Sequence, residues 1–499
     1  MMLKEWVAKI WANNVAKILE SKSKIPGEVQ KREFEKILSK ARSTVFGRDH
    51  HLDEVSNVKE FQQAVPIKDY EQFLPYIDRV KAGEKDVLWP GMPLYLTKTS
   101  GTTSGTKYIP ISSDSISNHI DSARNALLSY IADTGNTSFI NGKMIFLQGS
   151  PKLDKINGIP TGRLSGIVAH HVPAYLQRNR LPSFETNCIE DWEQKIDAII
   201  NETLPEKMTL ISGIPPWVQM YFERILEKTG KRNIKEVFPH FSLFVYGGVN
   251  FEPYRKRFEQ LIGGKVDSIE TYPASEGFIA FQNKQHDPSL LMVLDKGIFF
   301  EFVPLEEYEN PGARRLTIDE VELNKNYAVI MTTNAGLYAY SIGDTVKFVS
   351  KYPHKIIVSG RVKHFISAFG EHVIAEEVEE ALKMALNAES CAVNEFHVAP
   401  QVNPPEGGLP YHQWYIEFEQ PPSNLERFAQ LIDEYLQQKN VYYKDLRTGN
   451  MLRTLVITPV RKSAFTEYMK SIGKLGGQNK LPRLANNRNI ADELEKYKI

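Results

Sequence analysis

Cysteine is scarce: Cys188 and Cys391 are the two in 499 residues. They lie far apart and form no CxxC pair, which excludes a disulfide framework and a sequence-local zinc site. Two free thiols, expected to be buried or half-buried, fit a reducing compartment, so the expected location is the cytoplasm. No segment approaches the roughly 20 consecutive apolar residues of a membrane helix, so no membrane span is expected. Charge of one sign is also missing. Lys+Arg and Asp+Glu are both 61, and no basic cluster stands out, which argues against nucleic acid as a partner. Internal repeats and low-complexity tracts are absent. Hydrophobic residues at 42% and charged residues at 24% describe an ordinary soluble globular protein, long enough for two or three domains.

Residues 1–90 read as mostly helical. Leu3, Trp6, Val7, Ile10, Trp11, Val15 and Ile18 recur at helical spacing, and Lys4, Glu5 and Lys9 interrupt any signal-peptide core. The stripe is expected to dock on the main body; a membrane-surface helix is the other reading. A second amphipathic segment covers Lys31 to Val45. From Met92 onward short β-rich runs alternate with helical stretches. Candidate strands are Lys143–Gln148, Met208–Ser212, Leu243–Tyr246, Val266–Tyr272 and Tyr327–Thr333, several of them near-continuous apolar runs, with a helix at Pro253–Ile262 between. The alternation predicts an α/β core. Composition shifts near Gly360–Arg361. Beyond it come an acidic amphipathic helix at Ile374–Leu386, a strand near Tyr415–Phe418, a helix near Leu425–Gln437 and a strand near Leu455–Ile457, with Pro400–Pro410 as a surface loop. The expected division is a large domain at 1–362 and a smaller α+β domain at 363–499.

The densest chemical signal is Thr99-Ser100-Gly101-Thr102-Thr103-Ser104-Gly105-Thr106-Lys107, between two apolar, β-prone segments. Glycines let the backbone approach a ligand, and exposed N–H groups and hydroxyls can surround phosphate oxygens, with Lys107 adding a cation. It is not a Walker loop, because the glycine spacing and the residue after the lysine are wrong. A plain hairpin loop is the alternative. Further along stand Tyr246-Gly247-Gly248, Thr271-Tyr272-Pro273-Ala274-Ser275-Glu276-Gly277, Gly336-Leu337-Tyr338-Ala339-Tyr340-Ser341-Ile342-Gly343-Asp344, Gly360-Arg361-Val362-Lys363-His364, and Gly473-Lys474-Leu475-Gly476-Gly477-Gln478-Asn479-Lys480-Leu481-Pro482-Arg483.

The loop, and these segments in this order, resemble the motifs of the adenylate-forming superfamily of acyl-CoA synthetases, nonribosomal adenylation domains and luciferases. The Ser-Gly-Thr-Thr-Ser-Gly form is closest to its branch of auxin-responsive acyl-acid amido synthetases. The resemblance implies a fold of one large α/β N-terminal domain with mixed sheets and helices and a smaller, mobile C-terminal α+β domain. It implies ATP and Mg²⁺ as cofactors, with Thr99, Ser100, Gly101, Thr102, Thr103 and Ser104 around the phosphates. Gly247 and Gly248 would support adenine and ribose, and Tyr272, Ser275 and Tyr340 would belong to the nucleotide site. Glu276 would hold Mg²⁺, Asp344 would take both ribose hydroxyls, and Arg361 would contact ribose or phosphate. Lys480, together with Lys107, would neutralise charge at the phosphates; Lys474 competes for the role of Lys480, and Lys363 would lie at the hinge. Departures from the family pattern are Ala274 for Ser, Ser341 for Arg and Asn479 for Tyr. Asn118–Arg124, Gly166–Ala169 and Ile214–Trp217 are candidates for the acyl pocket. The implied reaction is ATP-dependent activation of a carboxylic acid to an acyl-adenylate, then acyl transfer to an amino acid amine. An acyl-CoA synthetase with a thiol acceptor and a non-catalytic nucleotide-binding protein are the alternatives.

Overall fold

The computed structural model describes residues 2–499 apart from 101–105, 173–176, 190, 249–250, 311, 363–364, 367, 370, 372, 403, 449–450, 475–480 and 486. Residues divide into two compact units. The first holds Met1–Phe251, Lys256–Ile342 and Val346–Ile357; the second holds Val358–Ile499 with the short pieces Glu252–Arg255 and Gly343–Thr345.

In the first unit the strands are β1 (Tyr95–Ser100), β2 (Thr106–Ile111), β3 (Lys143–Leu147), β4 (Asp154–Ile156), β5 (Ile159–Gly162), β6 (Arg180–Leu181), β7 (Met208–Gly213), β8 (Leu243–Gly247), β9 (Asp267–Ala274), β10 (Gly277–Gln282), β11 (Leu290–Met292), β12 (Ile298–Pro304) and β13 (Asn326–Thr333). The strands β14 (Tyr340–Lys351) and β15 (His354–Arg361) follow. One sheet runs β2-β1-β5-β4, and a second of eleven strands runs β12-β13-β14-β15-β11-β10-β9-β8-β7-β3-β6. The large sheet is mixed. From β6 through β3, β7 and β8 to β9 the pairs are parallel, and β10, β11 and β15 continue it antiparallel. The apolar runs expected at Lys143–Gln148, Met208–Ser212 and Leu243–Tyr246 form parallel strands, whose two faces are both covered. A parallel pair needs a long return, and the helices Trp192–Thr203, Pro215–Thr229 and Glu252–Ile262 supply it. Two of them start on prolines at the first turn, where the missing N–H costs nothing.

The N-terminal helix, Met2–Ser23, docks as expected on the main body, but by a face that shares only Val15 with the expected stripe. Ala12 is fully buried, with Ala8, Val15 and Leu19 packed beside it against the helix Ile116–Thr134. The bulky residues Leu3, Trp6, Val7, Ile10, Trp11 and Ile18 are exposed. Small side chains allow the closer helix approach, and the large ones point away. Trp11 is partly covered by the Arg124 guanidinium, 5.4 Å from its ring. Among the described residues no helix is long and apolar enough to cross a membrane.

β12 is an edge strand with all seven residues buried. Its outer side is covered by the segment around Arg315 and Leu316, which pairs with Phe302 through an isolated antiparallel bridge. Arg315 meets the fully buried Glu301 carboxylate through two bonds, Nε–Oε1 at 3.0 Å and Nη2–Oε2 at 2.7 Å. Its remaining Nη1 donates to Val65 O, and Gln62 Nε2 donates to Glu301 Oε1 at 2.9 Å.

The second unit is an α+β fold of its own. Strands β16 (Phe365–Ile366) and β17 (Val373–Ile374) pair as a ribbon, and β18 (Ala392–Gln401), β19 (Tyr411–Gln420) and β20 (Val456–Val460) form a sheet in that order. The helices Ala375–Ala388 and Leu425–Lys439 pack on it through Val378, Leu382, Phe428 and Ile432, around the fully buried Trp414. The helix expected at Ile374–Leu386 starts one residue later, at Ala375, and β18 ends at Gln401, inside the expected surface loop.

A partner removed from the Arg315–Glu301 pair leaves an uncompensated buried charge, which costs about 3–5 kcal/mol. Arg315→Met is therefore expected to lower the unfolding free energy measured by urea titration by that amount, with a correspondingly lower midpoint. The double variant Arg315→Met/Glu301→Leu is expected to recover most of it; a double variant as unstable as the single one would show that the pair is not the cause.

Candidate active site

β1 and β2 form an antiparallel hairpin in which Ser100 faces Thr106 and Thr99 faces Lys107. The hydroxyl- and glycine-rich run is therefore the connection of a hairpin. Gly101, Thr102, Thr103 and Ser104 lie outside the described residues. Lys107 lies over the ring of Tyr70, 5.3 Å from its centroid. The Tyr70 hydroxyl in turn accepts the Tyr108 backbone N–H at 2.8 Å. Tyr70 opens the helix Tyr70–Lys81, whose Asp69 and Gln72 form a reciprocal capping box. The aromatic platform under the lysine is thus fixed by a helix start that the sequence had signalled no role for.

β8 ends at Gly247, where a Cβ would stand 2.4 Å from the Thr271 carbonyl oxygen of β9. Any side chain would push these parallel strands apart. Gly248 follows at φ +84°, a left-handed turn that glycine adopts without strain. Tyr246 itself points into the core, its ring 4.6 Å from Phe251 and 5.2 Å from Phe244.

β9 and β10 are a hairpin in which Ala274 pairs with Gly277, so Ser275 and Glu276 form its two-residue tip. At Gly277 a Cβ would meet Ile298 Cδ1 at 2.5 Å, so a larger residue there needs the Ile298 side chain to move. Tyr272 is buried on β9. Glu276 is half-buried and hydrogen-bonded to the hydroxyl of Tyr340, a residue that is itself buried. Burial, and then the Glu276 charge, push the Tyr340 phenol well above its ordinary range. It therefore stays protonated and acts as a donor. Two residues expected at the nucleotide site on separate grounds thus touch one another. Where the family motif carries Arg, Ser341 bonds the Tyr308 hydroxyl at 2.8 Å and its N–H donates to Lys68 O.

In the second unit Asp344 and Arg361 are also joined: Arg361 Nε donates to Asp344 Oδ1 at 2.6 Å. Asp344 is the more buried of the two, with its side chain 15% exposed against 48% for Arg361. The contact is held from both sides. Val362 N donates to Gly343 O at 2.7 Å, and the hydroxyls of Ser359 and Thr345 meet at 3.0 Å. Gly343 lies at φ +77° and Gly360 at φ +152°. Lys363 and Lys480 lie outside the described residues. Lys474 is exposed and follows the helix Ala464–Ser471. Just after Lys480, the chain is fastened. Arg483 pairs with Glu379 at 3.0 Å and Glu395 at 3.1 Å, its guanidinium lies 5.2 Å from the Phe396 ring, and Leu484 bridges to Val398 of β18. Arg483 is a structural anchor, a role the motif match did not suggest.

Of the acyl-pocket candidates, Asn118 bonds both backbone groups of Phe278, at 2.6 and 3.3 Å, and Arg124 pairs with Asp121 at 3.0 Å. Both are occupied within the framework. Gly166 packs its backbone against Ser150 O, where a Cβ would come to 2.4 Å. Pro215 and Trp217 belong to the first turn of the helix Pro215–Thr229. Among the described residues no group of three or more His, Cys, Asp or Glu side chains is arranged to hold a metal alone.

The matches to known families cover nearly the same ground as these contacts. Residues 15–187 and 161–266 match the GH3 family N-terminal domain, 291–361 its central domain and 376–489 its C-terminal domain. The chain belongs to the GH3 family. Jasmonoyl–L-amino acid synthetase GH3.5 of Oryza sativa subsp. japonica is 24% identical over 92% of this chain and 92% of its own length. Indole-3-acetic acid-amido synthetase GH3.15 of Arabidopsis thaliana is 24% identical over 94% and 92%. Among solved structures, AtGH3.15 acyl acid amido synthetase in complex with 2,4-DB superposes at a TM-score of 0.80 with 18% identity, covering 97% of this chain and 96% of that one. A 2-hydroxyisobutyryl-CoA ligase in the postadenylation state superposes at 0.61 with 12% identity, covering 95% and 90%. The fold of this GH3 protein is therefore that of the adenylate-forming enzymes.

The Tyr340–Glu276 bond joins a buried hydroxyl to a carboxylate, and such bonds contribute about 1.5–3 kcal/mol. Tyr340→Phe is expected to lower stability by that amount in urea unfolding, and Glu276→Gln, which keeps an acceptor, by less. Equal losses in the two variants would place the energy elsewhere.

Proposed function

We propose that this GH3 protein converts a carboxylic acid and ATP to an acyl-adenylate and pyrophosphate, then transfers the acyl group to the amine of an amino acid. The observation that carries the reading is the pairing of expected nucleotide-site residues, Glu276 with Tyr340 and Asp344 with Arg361, in a chain that aligns end to end with amido synthetases. A carboxylate is a poor acyl donor because its leaving group is oxide. Attack of its oxygen on the α-phosphorus expels pyrophosphate and replaces that leaving group with AMP. The amine nitrogen then attacks the carbonyl, the C–O bond to AMP breaks, and the amine loses a proton.

The protein's work in the first step is positional and electrostatic. The β1–β2 connection and Lys107 hold phosphates, the Asp344 carboxylate takes the ribose hydroxyls, and Arg361 contacts the ribose or a phosphate. Gly247 and Gly248 leave room for the nucleoside, beside Tyr272 and Ser275. Glu276 suits Mg²⁺: it is a single carboxylate beside the Tyr340 hydroxyl, and Mg²⁺ takes one or two carboxylates with phosphate oxygens and water. Bound there, the ion supplies charge neutralisation at the phosphates. Residues 363–499 are assigned as a mobile domain carrying Lys480, the lysine of the adenylation step, with Lys474 as the competing position. Two free cysteines, one buried and one half-buried, suit the cytoplasm.

With Mg²⁺ and a suitable acid the products from ATP are expected to be AMP and pyrophosphate; ADP among the products overturns the reading. An amino acid, and not coenzyme A, is expected to drive product formation. Asp344→Ala is expected to weaken ATP binding by about 1.5–3 kcal/mol in a protein that remains folded. An unchanged ATP dissociation constant by titration calorimetry would remove Asp344 from the site.

A further inference from the structure

A second group of polar side chains gathers at the carboxyl end of β3, apart from the residues assigned above. Lys195, on the helix Trp192–Thr203, is 4% exposed. Its ammonium is held by two backbone carbonyls, Asn187 O at 2.6 Å and Gln148 O at 3.3 Å, and among the described residues it has no carboxylate partner. Arg163 is half-buried, and among the described residues its guanidinium has neither a hydrogen bond nor an ion pair. Lys195 lies close enough to feel its like charge. Burial brings the Lys195 ammonium down to about 8, with the Cys188 thiol opposing and Arg163 adding to the fall. Two buried donors point the same way: Gln148 Nε2 and Ser165 Oγ have no hydrogen-bond partner. The backbone of Gly149 ties them together, since a Cβ there would stand 2.7 Å from Arg163 Cδ and 3.5 Å from Ser165 Oγ.

Two cations with no counter-ion, an unused amide and an unused hydroxyl are costly to bury together. An anion would balance the arrangement, and a carboxylate matches the planar fork of an arginine. The place fits a ligand as well. β3, β7, β8 and β9 are parallel neighbours, and in such sheets ligands bind beyond the carboxyl ends of the strands. Gln148 and Gly149 follow β3, two strand spacings, roughly 10 Å, from the Gly247 end of β8.

We propose that Arg163, Lys195, Ser165 and Gln148 form a subsite for a second carboxylate at the far end of the acyl acid, so that the substrate class is a dicarboxylic acid. The proposal rests on the adenylation reading for which carboxyl is activated, but the anion subsite stands independently of it.

The test compares adipate, suberate and sebacate with hexanoate, octanoate and decanoate in ATP–pyrophosphate exchange, with calorimetric titration of the same acids as a readout free of chemistry. The wild-type protein is expected to prefer a diacid to the monoacid of equal length. Arg163→Leu is expected to cut that preference by about 10- to 100-fold, the range for a hydrogen bond to a charged group, and Arg163→Lys to retain part of it. A preference for monoacids, or one unchanged in a folded Arg163→Leu protein, overturns the proposal. If Arg163→Leu leaves exchange untouched and instead raises the KM of an amino acid in the conjugation reaction, the carboxylate belongs to the acceptor and the acyl assignment falls. If no acid supports exchange but diacid binding is present and is lost in Arg163→Leu, the adenylation reading fails and the anion subsite holds. Absence of both exchange and diacid binding overturns the subsite.

Discussion

The shared direction of β3, β7, β8 and β9 is the constraint from which the rest of the first unit follows. Parallel strands deliver all their carboxyl ends to one edge of the sheet. The Gly247–Gly248 turn, the Ser275–Glu276 tip and the Gln148–Gly149 corner therefore share an edge although they are far apart in sequence. The chain meets the geometric demand of that edge with glycine. Gly247 allows β8 and β9 to close. Once the backbone is fixed, a half-buried carboxylate at the tip needs a donor, and Tyr340 provides a phenol that burial keeps protonated.

The legible part of the fold was the part with a strong period or a strong apolar run. The buried parallel strands announced themselves as near-continuous hydrophobic stretches, and the helices after them by proline starts and amphipathic spacing. The N-terminal helix was legible as a helix but not by its docking face. Hydrophobicity alone pointed to Trp6, Ile10 and Trp11, whereas close approach to the helix Ile116–Thr134 selected Ala8 and Ala12. Size, not polarity, decided that contact.

The candidate site was legible as a set of motifs and illegible as a set of contacts. Glu276 and Tyr340 stand 64 positions apart, and no local pattern couples them; the sheet order does. Asn118 looked available for a ligand because it is polar and near the phosphate loop. It is consumed by both backbone groups of Phe278, the kind of demand a buried strand start imposes. Arg163 and Lys195 gave no signal at all, because an arginine after a strand and a lysine in a helix are unremarkable until the absence of a carboxylate beside them is seen among the described residues. Arg483 carried no assigned role. Three residues beyond the proposed catalytic lysine, it fastens the chain to Glu379 and Glu395.

The Arg315–Glu301 pair bears on more than the stability of one strand. β12 is apolar along its whole length and lies at the border of an eleven-stranded sheet. A bare border of that kind offers its unpaired N–H and C=O groups to any passing chain, and proteins guard such borders against aggregation. Here the Leu316 bridge occupies part of the ladder, and the neighbouring ion pair clips the covering segment in place. The salt bridge thus bears on solubility as well as on stability, because it holds the cover over that border.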